Sequence, residues 1–180
     1  MNFKRAKKIR SNRINRHGWL EPSEDCVKLN VDASFDIDTC AGGTGAIIRD
    51  HSGMFISCGR WTFNHVEDAA TAKAHAIRNG LLLAGSVGCN RIMVESDCMK
   101  VVETMQNNGN SLGAAVAIYE ECSFLCRNFS RVSFSHCPRE ANRAAHILAK
   151  FFEVDHEIWH ADPPTCVCSV ITDDVTIVPN

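Results

Sequence analysis

Residues 27–35 alternate apolar Val27, Leu29 and Val31 with polar Lys28, Asn30 and Asp32, the period-two pattern of a strand with one apolar face. A second short run, Arg91 to Glu95, is followed by another aspartate, Asp97. Two carboxylates delivered from the ends of two buried strands are how proteins assemble a divalent-cation site for phosphoryl chemistry. Between these strands lies a stretch from Asp68 to Ala84 with Ala70, Ala74, Ile77, Leu81 and Ala84 at helical spacing. It carries a cation, Lys73, near its start.

Punctuation of the chain supplies the remaining elements. Asp36 to Gly43 reads as a turn, Thr44 to Asp50 as a strand, His51-Ser52-Gly53 as a tight turn and Met54 to Trp61 as a third strand. Three strands on short turns make an antiparallel meander. After the Arg91–Glu95 strand come a short helix from Cys98 to Gln106, a loop at 107–111 and a helix from Ala114 to Asn128. A strand at Ser130–Ser135 and a helix from Arg139 to Glu153 complete the body. The order βββαβααβα predicts an α/β fold: a mixed five-stranded sheet, its first three strands antiparallel, flanked by helices. The expected division is a basic, flexible lead-in over residues 1–25, a folded domain over 26–153 and a loosely packed or disordered tail over 154–180.

Charge separates these parts. Seven of the 19 Lys and Arg (Lys4, Arg5, Lys7, Lys8, Arg10, Arg13 and Arg16) precede Gly18, where there is no acid; the rest of the chain has twelve against 21 Asp and Glu. The basic head could serve as a phosphate-binding arm, a nuclear-import signal, a transit peptide or a solvated tail. Ten scattered cysteines, with no secretory apolar region before them, favour buried small hydrophobes in a reducing intracellular compartment, nuclear or cytoplasmic, with organelle targeting left open. No apolar run approaches a membrane span. A monomer is expected.

The motifs in combination resemble the ribonuclease H-like superfamily. More narrowly, they are similar to type 1, reverse-transcriptase-associated ribonuclease H domains derived from retroelements and abundant in plant genomes. The resemblance is carried by residues 27–35, by Gly45 to Gly53, by Ala76 to Leu81, by Val94 to Cys98 and by Pro138 to Ala149, with Asp162-Pro163-Pro164 and Asp174 to Val178 resembling the usual ending. It implies hydrolysis of the RNA strand of an RNA–DNA hybrid, or engagement of a similar duplex, by two magnesium ions held on four acids. Asp32 and Asp97 match the first and third acids and are the implied metal ligands. Lys73 stands at the second, a glutamate in the family, and His146 at the fourth. His136 stands where the family carries a loop histidine that moves product or water. Asn142, Arg139, Arg143 and Lys150 are the implied nucleic-acid contacts, with Arg127 and Arg131 adding to that surface.

The departures bear on catalysis. Two unit charges ~4 Å apart in a partly exposed site interact by roughly 4 kcal/mol, and a dication doubles that. An ammonium at the second position thus repels a metal by about what the missing carboxylate would have contributed. Ala69, Ala70, Ala76 and Ile77, its neighbours on the helix face, cannot ligate. The sequence therefore leads to a nucleic-acid-binding domain with weak magnesium-assisted cleavage. The alternative is a catalytically inactive retroelement-derived binding or interaction module, in which Lys73 is the internal counter-ion of Asp32 and Asp97.

Overall fold

The structure, a computed structural model, describes residues 18–150 and 155–176. The basic positions 4–16, the last turn expected before Glu153 and the end of the apolar run at Val178 lie outside the described residues. β1 (Val27–Asp36), β2 (Ala41–Arg49) and β3 (Phe55–Phe63) form the meander. α1 (Ala69–Ser86), β4 (Arg91–Ser96), α2 (Met99–Gln106), α3 (Val116–Cys126) and β5 (Arg131–His136) follow. The chain then makes a 3-10 turn (Arg139–Asn142) and continues through α4 (Arg143–Ala149), β6 (His156–His160) and α5 (Thr165–Thr176). The sheet order is β5-β4-β1-β2-β3-β6, with β4 parallel to both β1 and β5 and the other pairs antiparallel. The mixed α/β sheet is as expected.

The sheet has six strands rather than five. Residues expected to form a loose tail supply β6, which pairs with β3, and α5, which buries Val167 and Val170 against Ile47, Cys58, Ala145 and Leu148. Short length and exposed His156 and His160 hid β6 from a periodicity reading; its order comes from tertiary pairing. The last helix also starts later than expected, because residues 139–142 form the 3-10 turn.

β1 is covered on both sides. Leu29 and Val31, aligned with Ile48 and Ala46, face α1 and α3. Lys28, Asn30 and Asp32 point the other way, toward the layer of α4 and α5, and all three are buried. Two glycines allow the approach of the helices. A Cβ on Gly80 would stand 2.7 Å from Val31 Cγ1, and one on Gly45 would stand 2.3 Å from the Ala145 carbonyl oxygen, so α1 and α4 lie directly on β1 and β2. At the head of α1 the Asp68 carboxylate accepts from Thr71 N at 2.7 Å, satisfying one of the free N–H groups there.

The polar face of β1 anchors both flanks of the chain. Lys28 Nζ pairs with Glu95 at 2.6 Å and donates to the Leu20 carbonyl. Asn30 Oδ1 accepts from Trp19 Nε1 at 3.0 Å and from Arg49 at 3.3 Å. The Arg49 guanidinium lies 4.1 Å over the Trp19 ring and binds Asp174 of α5 at 2.7 Å. The lead-in is therefore fastened from Trp19 onward, and this indole is 6% exposed. Burial pulls Arg49 down and pushes Asp174 up, and their mutual hydrogen bond opposes both shifts. An arginine stays charged at ordinary pH, so the pair holds as an ion pair.

Removing one member of such a pair leaves a buried charge without a partner, which costs about 3–5 kcal/mol. Asp174→Ala should lower the unfolding free energy by about that much in denaturant titrations, and adding Arg49→Met should restore a large part of it. Asp68→Ala should cost about 1 kcal/mol at neutral pH. The Thr71 N–H holds the Asp68 carboxyl below its ordinary 3.8. Its contribution is thus complete above that value and disappears as pH falls through the folded one. Unfolding curves of wild type and variant should converge in acid.

Candidate functional site

Pairing between β1 and β4 ends at Asn30 and Glu95. Beyond that point the two parallel strands present Asp32 and Asp97 at the open end of the sheet. Asp32 is nearly inaccessible and Asp97 is largely buried, with side-chain exposures of 3% and 14%. Lys73 reaches them from the first turns of α1, its Nζ 2.8 Å from Asp32 Oδ1 and 3.4 Å from Asp97 Oδ1. Burial pulls the ammonium down, but the charge and hydrogen bond of Asp32 and the charge of Asp97 outweigh it and hold the group above its ordinary range. Lys73 is therefore a cation at every physiological pH.

The second oxygen of Asp32 is also taken. His146 Nδ1 lies 2.8 Å from Asp32 Oδ2, brought there by α4. His136, at the end of β5, places Nε2 3.3 Å from the Asp97 carbonyl oxygen. Arg139, mostly exposed, has Nε 4.0 Å from Asp97 Oδ2. The structure thus gathers Asp32, Asp97, Lys73, His146, His136 and Arg139 at one end of the sheet.

The remaining residues of the expected set divide. Arg143 and Lys150 are exposed on and just after α4, where backbone contacts to a polyanion are open to them. Asn142 is 1% exposed, and its side-chain amide donates to the Val31 carbonyl at 3.0 Å. It ties the start of α4 to β1 and faces the interior rather than a phosphate. Arg131 sits opposite Arg91 at the start of β5, whereas His136 and Ser96 mark the site end. A strand of that length puts Arg131 roughly 17 Å away. Arg127 stacks on Phe124 at the C-terminal end of α3. These two arginines do not adjoin the site. Sequence reasoning extended the basic surface by helix proximity, and only the strand register corrects it.

Glu95 lies on the face opposite Val94 and is buried, bound by Lys28 and by Asn30 Nδ2 at 3.2 Å. It belongs to the support beneath the site. The ten cysteines are free thiols. Burial pushes Cys122 and Cys137 up to about 12, so these two are packing groups, not nucleophiles.

A magnesium pair does not fit these residues. Among the described residues no cluster of three or more His, Cys, Asp or Glu side chains is placed to hold a metal ion. The space between Asp32 and Asp97 belongs to an ammonium, which carries three donors and no lone pair. Each oxygen of Asp32 is already engaged, Oδ1 by Lys73 and Oδ2 by His146. No metal-assisted step is derived for this chain.

Comparison with known proteins agrees with this architecture. The family described as reverse transcriptase-like matches residues 30–152. No curated protein matches the chain by sequence. Among solved structures, the chain is similar to the RNase H1 of the halophilic archaeon Halobacterium salinarum, at 19% identity and a TM-score of 0.64, over 69% of this chain and 94% of that one. It is similar to LC11-RNase H1, isolated from compost by a metagenomic approach and solved in complex with an RNA/DNA hybrid, at 17% identity and a TM-score of 0.62, over 68% and 93% of the two chains. It also matches a foamy viral protease-reverse transcriptase solved with double-stranded DNA, at 12% identity and a TM-score of 0.54, over 69% and 90%. At these identities the likeness establishes the RNase H-like fold.

Lys73 makes the site's stability independent of a cation. Millimolar magnesium should leave the melting temperature of the wild type nearly unchanged. Lys73→Met should lose roughly 1–3 kcal/mol and should gain a magnesium-dependent stabilisation that the wild type lacks. A rise of several degrees with magnesium in the wild type, absent in Asp32→Asn, would show that a metal displaces the ammonium.

Proposed function

The chain belongs to the reverse transcriptase-like family, and from that footing we propose that it is a nucleic-acid-binding RNase H-like domain whose magnesium-assisted cleavage is feeble or absent. The ligand is an RNA–DNA hybrid or a duplex of similar shape, and the kinship is with retroelement-derived domains of plants. One observation carries the reading: the Lys73 ammonium bridges Asp32 and Asp97 at 2.8 and 3.4 Å, so the acids that would hold a metal already share a cation. Binding rests on other groups. Arg139 stands beside the site and Arg143 and Lys150 are exposed on the neighbouring helix. Trp19 packs on Cys137 and Ala141, beside the 3-10 turn that carries Arg139. In LC11-RNase H1 the bound ligand is an RNA/DNA hybrid, which supports the same class here.

A second reading has its own support. From Gly18 onward the body is acidic, with twelve Lys and Arg against 21 Asp and Glu. Seven of the twelve, Lys28, Arg49, Arg60, Lys73, Arg78, Arg91 and, at 4.0 Å, Arg139, are engaged in ion pairs with acids from elsewhere in the chain. That charge balance favours a protein-interaction module. The two readings separate on salt. Counterion release makes the logarithm of a hybrid-binding constant fall linearly with the logarithm of salt, by about 0.9 per phosphate contact for a DNA duplex. The full chain should show such a slope, and removal of residues 1–17 should weaken binding and flatten it. Equal binding of full and truncated chains at every salt concentration would remove the arm from the interface. No binding at low salt would favour the protein-interaction reading.

Catalysis has a separate check. Lys73→Glu with His146→Asp replaces the ammonium and the imidazole by carboxylates around Asp32 and Asp97. The double variant should cleave the RNA strand of a hybrid with magnesium, and Lys73→Glu alone should recover part of that activity. His146→Asp alone should recover almost none, because the ammonium remains. A wild type that cleaves as fast as the double variant would show that Lys73 does not block the site.

A further inference from the structure

We propose that the free edge of β6 pairs with the same strand of a second copy, joining two chains into a symmetric dimer with one continuous sheet. The sequence alone led to a monomer; the dimer follows from the phase of the β3–β6 ladder and does not depend on the nucleic-acid-binding reading. Thr62 N–H donates to the Asp155 carbonyl at 2.8 Å, and Ala161 N–H donates to the Ile56 carbonyl at 3.4 Å. Between these ends Arg60 stands opposite Glu157 and Cys58 opposite Trp159. Bonded and non-bonded pairs alternate along an antiparallel ladder, so Glu157 and Trp159 bond inward to β3. His156, Ile158 and His160 therefore turn their backbone N–H and C=O groups outward. The His160 carbonyl accepts from Asp162 N–H at 2.8 Å, and among the described residues none bonds the outward groups of His156 or Ile158. Such a row is a template for another strand. The opposite edge of the sheet is blunted: β5 opens with Arg131, and Gln106 Nε2 donates to its Phe134 carbonyl at 2.9 Å.

A second copy is the occupant that this edge fits. A two-fold axis at Ile158 sets Ile158 against Ile158 of the second copy, and His156 against His160 of the second copy. All of these positions face outward, so each pair exchanges both of its backbone hydrogen bonds. The His160 carbonyl has a second lone pair for its bond. The side chains agree on both faces of the sheet. Ile158 is 40% exposed and stands opposite Gly59, where a Cβ would lie 2.4 Å from the Trp61 ring. An apolar strip of Trp61 and Ile158 thus runs out to the edge, and the axis continues it into the second copy. On the other face Glu157 meets Trp159 of the second copy. The Glu157 side chain is 44% exposed, and the Arg60 guanidinium lies 5.3 Å over the Trp159 ring. A carboxylate of each chain therefore approaches an arginine of the other. The axis also reverses strand direction, so the two Asp32–Asp97 sites lie at opposite ends of the joined sheet and stay open.

The experiment uses the full chain, freed of nucleic acid and held in reducing buffer so that no disulfide links the copies. Sedimentation velocity from low-micromolar to sub-millimolar protein should show the mass rising from one chain to two. Ile158→Lys puts like charges on the axis and should weaken association by about tenfold or more. Its circular dichroism and melting temperature should stay near those of the wild type. Amide exchange gives a readout without any substitution. The Ile158 N–H should exchange freely in dilute protein and be protected by about fivefold or more in concentrated protein. The Trp159 N–H, bonded to β3, should be protected in both. A wild type that stays monomeric throughout overturns the inference. So does a dimer that persists in Ile158→Lys, or one in which the Ile158 amide still exchanges freely, because another surface then joins the copies.

Discussion

Two carboxylates presented by neighbouring parallel strands repel each other, and the open end of this sheet is organised around relieving that repulsion. Asp32 and Asp97 cannot move apart, because β1 and β4 are held in register up to Asn30 and Glu95. Relief comes from Lys73, which bridges them, and from His146, which takes the remaining oxygen of Asp32. The bridge has a structural consequence. α1 is fastened to the sheet by contact of Gly80 with Val31 at its middle and by an ion pair near its start. An ammonium on a helix is covalently present at all times, whereas a bound cation depends on concentration. The end of the sheet thus carries its own cation.

The same logic continues down β1. Lys28, Asn30 and Asp32 occupy successive positions on one face, and each is buried and bound: to Glu95, to Trp19 and Arg49, and to Lys73 and His146. Ordinarily a row of buried polar groups is costly unless every member is satisfied. Here the partners come from five separate places in the chain, the lead-in, β2, α1, β4 and α4, and Arg49 links the row on to α5. The row therefore specifies how those elements assemble, as well as stabilising them. Arg49 is its least replaceable member, since a guanidinium cannot become neutral in the interior.

Much of this was legible in the sequence, for identifiable reasons. The strand period placed Asp32, and the short apolar run placed Asp97, because a two-residue repeat between turn signals is a local property. Lys73 beside the two acids followed from the family resemblance, and the structure brings it to both. Other features depended on contacts between distant segments. Alternation along β1 looks like one dry and one wet face, yet Trp19, Leu20, Arg49 and Glu95 close over Lys28 and Asn30 on the second face. Nothing local marks Trp19 as a core residue, because its partners Asn30, Arg49 and Lys28 lie on β1 and β2. β6 is ordered by pairing with β3, and five residues with histidines at both ends give no independent signal. Asn142 read as a helix-face polar group, while the 3-10 turn aims it inward at Val31.

The internal ion pairs also decide which cations a polyanion can meet. Lys28 and Arg49 are fully enclosed, and Lys73 is held by two acids. Among the described residues, Arg143 and Lys150 form no ion pair, and Arg139 has one long contact with Asp97. The three lie along the stretch from the 3-10 turn to the end of α4. In a site of four free carboxylates, a phosphate strand approaches only once metal ions have cancelled the charge. In this chain the cancellation is built into α1. Arg139, Arg143 and Lys150 therefore stand exposed beside a pair of acids whose nearest cation is a side chain of the same chain. The cation beside Asp32 and Asp97 is Lys73, and it is part of the polypeptide itself.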